Sequence, residues 1–141
     1  ADPFAANNNF ATWEFTNDLN VDCVAYNCED AIDFLRHLEY DHTESFDLVV
    51  FDPPFSFNQA EKYVGSVTNV YTAPKYVKQC FASIYDLLKP GGYVLKFGFN
   101  STRDHVGLDL VKYWVINHGG NHNDTIVTLW HKGNMTLNQE F

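Results

Sequence analysis

The chain has 141 residues, of which 45% are hydrophobic and 16% aromatic, and it carries a net charge of −9. A chain of this length buries about two-thirds of its unfolded surface, so it suits one domain with its own core. The aromatic content excludes a disordered chain, and no apolar run approaches the roughly 20 residues of a membrane-spanning helix. We expect one soluble globular domain, residues 1–141.

Short strands alternate with helices along the first two-thirds of the chain. A helix, with Asn27 as its cap, is predicted from the three-and-four spacing of Ala31, Phe34, Leu35 and Leu38. The apolar run 46–51 is typical of a buried strand and ends at two prolines, which continue neither a strand nor a helix. A second helix, 77–88, stops before Gly91 and Gly92, and a strand follows at 93–99.

The carboxy-terminal third has a different pattern. Two β-rich runs, 110–116 and 125–130, are joined by a turn-forming stretch that is too short for a crossover helix. We therefore predict that they pair as an antiparallel hairpin. Together with the preceding alternation, this predicts an α/β fold whose sheet is mostly parallel and carries the hairpin at its edge.

Carboxylates follow the predicted strands. Asp52 closes the strand 46–51, Asp18 follows a predicted strand over 12–17, Asp30 follows a short run at 23–26, and Asp2 begins the first segment. Ligands of α/β sheets bind outside the carboxyl ends of the strands. Each carboxylate alone is more often a cap or a loop residue, but four at successive strand ends favour a binding site.

Several motifs, in unpermuted order, are similar to one enzyme class. Asp52-Pro53-Pro54-Phe55 resembles the catalytic motif of S-adenosylmethionine-dependent amino-group methyltransferases, in the variant of the DNA N6-adenine enzymes. Further similar segments are Asp2-Pro3-Phe4-Ala5, Asn17-Asp18-Leu19-Asn20, Asp30-Ala31 and residues 87–92. Residues 96–101 and 118–126 resemble a subset found in phages and prophages. The resemblance implies a three-layer Rossmann-like methyltransferase domain, incomplete at its first strand and with a shortened or missing first helix.

The resemblance also implies roles for the tetrapeptide. Asp52 and the carbonyl of Pro53 would accept the two hydrogens of an adenine amine and direct its lone pair toward the donor methyl. Phe55 would stack on a base flipped out of the duplex, and Pro54 would stiffen the loop. A turn that merely ends the strand is the plain alternative.

On the cofactor side, the resemblance implies contacts along the whole donor molecule. Asp18 would accept hydrogen bonds from the ribose hydroxyls, and Asp30 and Ala31 would contact the adenine. Asp2 would lie near the methionine end. The implied cofactor-binding set is Asp2, Pro3, Phe4, Ala5, Asn7, Asp18, Leu19, Asp30 and Ala31.

The charge is unevenly distributed: residues 1–52 carry −11, residues 53–103 carry +4 and residues 104–141 carry −2. The acidic segment suits a cationic cofactor, and the basic one could face a polyanion, although a distribution made for solubility explains the same numbers. The 17-residue connection 56–72 is predicted to be a binding loop, with a solvated loop as the alternative. Candidate nucleic-acid contacts in and after it are Lys62, Tyr63, Tyr71, Lys75 and Lys78.

The function predicted from the sequence is methyl transfer to adenine N6 in DNA, with base flipping. The alternatives are a degenerate fold that binds without turnover, or transfer to RNA adenine, cytosine N4 or a protein amide. A separate recognition domain is not expected, so a partner subunit or a homodimer could assist. The number and spacing of the three cysteines do not predict disulfides, and the turn that contains His118 and His122 argues against a metal site with His131. We expect the cytoplasm of a prokaryote or of a phage-infected host, and no membrane partner.

Overall fold

The computed structural model describes residues 1–8, 11–64, 73–100, 105–120 and 123–134. A 3-10 helix at Trp13–Phe15 is followed, in chain order, by α1 (Ala31–His42), β1 (Phe46–Phe51), α2 (Phe57–Val64), α3 (Pro74–Leu87), β2 (Leu88–Gly98), β3 (Leu108–Ile116) and β4 (Thr125–Lys132). Within these ranges, each helix falls short of the length and apolar character needed to cross a bilayer.

The strands form one mixed sheet in the order β1-β2-β4-β3. β1 and β2 are parallel, whereas β4 is antiparallel to both β2 and β3. The predicted α/β class and the predicted antiparallel hairpin are confirmed. The expectation of a mostly parallel sheet is matched only in part, because two of the three strand contacts are antiparallel.

Parallel pairing continues beyond β1 through short extended pieces. The backbone N–H of Val50 donates to the carbonyl of Ala1 at 2.9 Å. Asp2 then bridges Thr16, and Asn17 bridges Asn27. The first segments of the chain thus line up beside β1 in their sequence order, which brings the residues that follow them to one end of the sheet.

α1 has the buried face that its spacing predicts, since its buried residues are Ala31, Phe34, Leu35 and Leu38. Its cap is Asp30, whose side chain accepts a hydrogen bond from the Ile32 N–H at 2.9 Å. The prediction of Asn27 as the cap is therefore wrong. The Asn27 amide instead donates to the carbonyl of Thr16 at 3.1 Å, which joins two of the short extended pieces.

One helical layer covers the sheet. α1 and α3 pack against each other, so they lie on the same side, and the core between them and the sheet includes Val49, Phe51 and Trp130. Side chains alternate along a strand, which places Leu48 and its partner Tyr93 on the other side. These two side chains are 42% and 38% exposed. A second helical layer, which a three-layer fold requires, does not cover them in the described part of the chain.

Two predicted strands are not formed. The stretch 12–17 folds as the 3-10 helix, with the Phe15 N–H donating to the Thr12 carbonyl at 2.8 Å, and only its last two residues make bridges. The run 23–26 likewise leaves only the bridge at Asn27. Local hydrogen bonds replace the ladder in the first stretch. In the second, the backbone N–H groups of Val24 and Tyr26 donate to distant side chains, Asn7 Oδ1 at 3.1 Å and Thr16 Oγ1 at 3.0 Å.

The predicted loop 56–72 contains α2, so that prediction is wrong for its first half. Ser56 Oγ accepts the backbone N–H of Gln59 at 3.2 Å, which satisfies a free N–H in the first turn of the helix. Residues 65–72 lie outside the described residues. The helix predicted at 77–88 is α3, which ends at Leu87. The left-handed Gly91 (φ 83°) lies within β2 and does not cap the helix.

Candidate functional site

A cavity of about 440 Å³ lies at the carboxyl end of β1. The short extended pieces beside β1 end at the same edge, which is why residues distant in sequence meet there. Nine residues predicted for the site line the cavity: Pro3, Phe4, Asp18, Leu19, Ala31, Asp52, Pro53, Pro54 and Phe55. The structure thus brings the predicted catalytic tetrapeptide together with part of the predicted cofactor set.

Asp52 is the first residue after β1 and is half-buried. Its carboxylate has no hydrogen-bond partner among the residues that the structure describes. Burial, and to a smaller extent the nearby Asp2 carboxylate, raises the pKa of Asp52 to about 6. The group is therefore a largely desolvated acceptor that faces the cavity and is still ionised at neutral pH.

Asp18 differs from Asp52 because both of its oxygens are engaged. Oδ2 accepts the Ala6 N–H at 3.0 Å, and Oδ1 accepts the Asn20 N–H at 2.8 Å. The first bond holds the loop after Phe4, in which Ala6 adopts a left-handed φ of 46°. A carboxylate has about four lone-pair sites, so Asp18 can still accept hydrogen bonds from a ligand.

Asp2, Ala5 and Asn7 lie in the same loop as Phe4 but do not line the cavity. Asp2 is 1% exposed and accepts the Phe4 N–H at 3.1 Å, and burial raises the pKa of Asp2 to about 6. Ala5 is fully buried, and its N–H donates to the Asn17 carbonyl at 2.8 Å. Asn7 Oδ1 accepts the Val24 N–H at 3.1 Å. All three residues hold the loop in place.

Asp30 caps α1, and the same oxygen that accepts the Ile32 N–H also accepts the Tyr76 hydroxyl at 3.1 Å. Its neighbours Glu29 and Ala31 line the cavity, whereas Asp30 does not. In this structure the Asp30 carboxylate is engaged by the protein itself.

The predicted nucleic-acid residues are spread along two helices. Lys75 and Lys78 are exposed on α3 and do not line the cavity. Lys62 and Tyr63 belong to α2, and Tyr71 lies outside the described residues. Among the described residues, histidine, cysteine, aspartate and glutamate form no group of three or more able to hold a metal ion.

Sequence reasoning missed the roles of two side-chain amides, one that supports the loops around the cavity and one that lines it. Asn17 is fully buried; its Nδ2 donates to the carbonyls of Pro3 and Glu29 at 3.1 and 3.0 Å, and its Oδ1 accepts the Glu29 N–H at 3.1 Å. Gln59 lines the cavity, and its Oε1 accepts the Phe55 N–H at 2.7 Å. The Ser-x-x-Gln pattern of a helix start could have indicated Gln59. Asn17 belongs to the segment Asn17-Asp18-Leu19-Asn20, but no local pattern indicates that its side chain bridges two distant loops.

A scan against protein-family models and a search of curated proteins each give no match. Similar solved structures include a candidate methyltransferase from Escherichia coli, at 12% identity and TM-score 0.48 over 78% of this chain and 48% of that one. Another is a candidate DNA modification methylase from Thermus thermophilus, at 16% identity and TM-score 0.46 over 75% and 54%. The chain spans about half the length of these structures.

An N-methyltransferase from Bradyrhizobium japonicum, solved with S-adenosyl-L-homocysteine, is also similar, at 16% identity and TM-score 0.40 over 62% of this chain and 46% of that one.

Proposed function

We propose that this domain transfers a methyl group from S-adenosylmethionine to the exocyclic amine of a nucleobase, and that the acceptor is adenine N6 in DNA. The observation that supports this most directly is the Asp52 carboxylate, which is half-buried and has no partner among the described residues. It shares one cavity with Phe4 and Asp18, as a catalytic acceptor beside a bound cofactor must.

The cavity suits this cofactor in size and in chemistry. About 440 Å³ lies within the range of roughly 300–1,000 Å³ that small-molecule sites occupy. Asp18 has acceptor sites left for the ribose hydroxyls, and Leu19 and Ala31 offer an apolar surface to the adenine. Glu29, Asp18 and Asp52 give the lining a negative potential that favours a sulfonium and an ammonium group. When bound, the cofactor supplies an electrophilic methyl group on positively charged sulfur.

The tetrapeptide orients the acceptor amine. Asp52 and the Pro53 carbonyl accept its two N–H groups, so its lone pair is directed to the methyl group. The nitrogen loses one proton when it is methylated, and the Asp52 carboxylate accepts that proton. A pKa near 6 leaves Asp52 ionised at pH 7 and lets it release the proton to water. Phe55, whose ring centroid lies 5.8 Å from that of Phe99, offers a face on which the base stacks.

The basic segment supports a polyanionic acceptor. Lys75 and Lys78 are exposed near the start of α3 and are available for phosphate contacts. Few such contacts release few counterions, so binding is weak and falls as salt is raised. Assistance by a partner subunit or a second copy is part of this proposal.

Binding without turnover is the second candidate. Ala6 has a left-handed φ of 46°, which is unfavourable for a residue with a Cβ, and it lines the cavity. A loop with this geometry could hold a nucleotide without aligning it for transfer. Turnover separates the two candidates.

Calorimetric titration with S-adenosylhomocysteine tests the cofactor, and transfer of labelled methyl groups to DNA, RNA and peptide acceptors tests the reaction. We expect binding, transfer to adenine in DNA, and a loss of about 10²–10³-fold in rate for Asp52→Asn. Asp47→Asn is the matched control, because Asp47 is an exposed aspartate on the same strand. Equal rates for wild type and Asp52→Asn would contradict the role of Asp52. Absence of S-adenosylhomocysteine binding would contradict the proposal that the domain is a methyltransferase.

A further inference from the structure

We infer that Gln59 contacts the acceptor base, and that its side-chain amide donates a hydrogen bond to a ring nitrogen beside the amine that is methylated. This rests on the proposed function and deepens it, because it names the chemical edge that the site recognises. Gln59 lies in the first turn of α2 and lines the cavity together with Asp52 and Phe55.

The orientation of the Gln59 amide follows from its partner. The Phe55 backbone N–H is a donor, so the side-chain atom 2.7 Å away from it must be the carbonyl oxygen of the amide. The Nε2 group, with two N–H donors, is therefore turned away from the Phe55 backbone. Nε2 has no hydrogen-bond partner in the described part of the chain, and it is not among the fully buried polar atoms without a partner. It is available to a molecule in the cavity.

Asp52 and Gln59 together make a complementary pair. The ionised Asp52 only accepts hydrogen bonds, and Gln59 Nε2 only donates them. A ligand that satisfies both needs an N–H donor next to an acceptor. Adenine has this pair in its amine with N1 or N7, and cytosine has it in its amine with N3.

Other acceptors lack part of this pattern. A primary alkylamine has no neighbouring acceptor atom. A carboxamide has one but offers no ring for Phe55 to stack on. The pair formed by Asp52 and Gln59 therefore selects an amino-nucleobase.

Gln59 also has a structural role that must be separated from this one. Its backbone N–H donates to Ser56 Oγ at 3.2 Å, as in a helix capping box, and its side chain accepts the Phe55 N–H, one residue before the cap position. A residue that acted only as a cap would stabilise α2 without distinguishing one base from another. Gln59→Glu separates the roles, because the carboxylate still accepts the Phe55 N–H but has no donor.

The test uses DNA oligonucleotides with one target adenine, or with 1-deazaadenine or 7-deazaadenine in its place. We expect the wild type to lose about 10- to 100-fold in kcat/KM on one of the two analogues, in which the ring acceptor is a C–H. Gln59→Glu should reduce this discrimination to within about twofold, although the extra negative charge beside Asp52 slows transfer to every substrate. The ratio between substrates is independent of that general loss.

Gln79→Glu is the matched control, because Gln79 is exposed on α3, and it should keep the wild-type ratio. Thermal melting should show Gln59→Glu to be as stable as the wild type. Gln59→Met, which has a similar length and no polar atoms, serves in its place if Gln59→Glu does not fold. Full discrimination in the variants, or none in the wild type, would overturn the role of Gln59 while leaving methyl transfer intact. A wild type that methylates no adenine would instead refute the proposed function, and the inference with it.

Discussion

One wall of the cavity comes from residues 3–31, another comes from residues 52–59, which follow β1, and different forces hold the two. Apart from the 3-10 helix, the described residues of the first wall before α1 form no regular element, and hydrogen bonds to and from the side chains of Asn17 and Asp18 hold its loops together. The second wall follows a strand that is held by apolar burial, since Val49 and Phe51 of β1 are fully buried. Folding thus engages both oxygens of Asp18 at least once, whereas the Asp52 carboxylate has no hydrogen-bond partner among the described residues.

The largest effect is expected from breaking the first wall at Asn17. In Asn17→Asp the carboxylate would face the carbonyls of Pro3 and Glu29, to which the amide now donates. A buried carboxylate that faces two carbonyl oxygens with no hydrogen-bond donor between them should lower the free energy of unfolding by about 3 kcal/mol. Urea denaturation at pH 7 measures this loss. Asn58→Asp, at an exposed position of α2, should change stability by less than about 0.5 kcal/mol.

A second, smaller effect is expected at Asp18. In Asp18→Asn only one oxygen remains, so either the Ala6 N–H or the Asn20 N–H would face an NH₂ group. Hydrogen bonds to a charged group contribute more than neutral ones, and the loss should be about 2 kcal/mol. Asp22→Asn is the control, because Asp22 is exposed in the same loop. If both variants melted at the wild-type temperature, the first wall would not depend on Asp18.

The same substitution at Asp52 should have the opposite sign. The pKa of Asp52 is raised from 3.8 to about 6 in the folded protein, so between these values the folded state keeps a proton that the unfolded state has lost. The contribution of Asp52 to wild-type stability therefore falls as the pH rises from about 4 to about 6. Asparagine does not ionise, so Asp52→Asn should be more stable than the wild type at pH 8 and equal to it near pH 4. The full pKa difference corresponds to about 3 kcal/mol; because the carboxylate is only half-buried, we expect a gain of about 1–2 kcal/mol.

Urea denaturation of both proteins at pH 4 and pH 8 checks this sign. Asp47→Asn should shift stability little at either pH, because Asp47 is exposed and its ion pair with Lys89 lies at the surface. A loss of stability for Asp52→Asn at pH 8 would mean that the carboxylate has a partner in the folded protein, and the contrast between the two walls would disappear.

The two walls also differ in how far the sequence predicts them. Apolar periodicity predicts α1, β1 and α3 with their buried faces, because burial of a continuous apolar face largely determines where these elements lie. The same reasoning predicts the position of Asp52, since a buried strand followed by two prolines must end there. The second wall is thus predictable from local pattern.

The first wall is not predictable in this way. Its geometry depends on contacts between residues far apart in sequence, such as the bonds from Asn17 to Pro3 and to Glu29. The number of free lone pairs on Asp18 and Asp30 depends on which backbone N–H groups lie near them, and spacing along the chain does not contain that information. Motif resemblance named nine residues that line the cavity and four that do not, Asp2, Ala5, Asn7 and Asp30. It did not predict which carboxylates the fold engages.

The smallest effect is expected at Asp30, where a role as a helix cap and a role as a ligand contact predict different results. In Asp30→Asn the remaining side-chain oxygen can still accept the Ile32 N–H and the Tyr76 hydroxyl. Asparagine caps helices about as well as aspartate, so the free energy of unfolding should fall by only about 0.5 kcal/mol, from the weaker interaction with the helix dipole. Asp30→Ala removes both bonds and should cost about 1 kcal/mol or more. If Asp30 acts only as a cap, both variants bind S-adenosylhomocysteine within about twofold of the wild type. A loss of affinity of tenfold or more in Asp30→Asn, with stability preserved, would mean that the Asp30 carboxylate contacts the ligand. Asp30 would then resemble Asp52 in having a carboxylate oxygen that is open to a ligand.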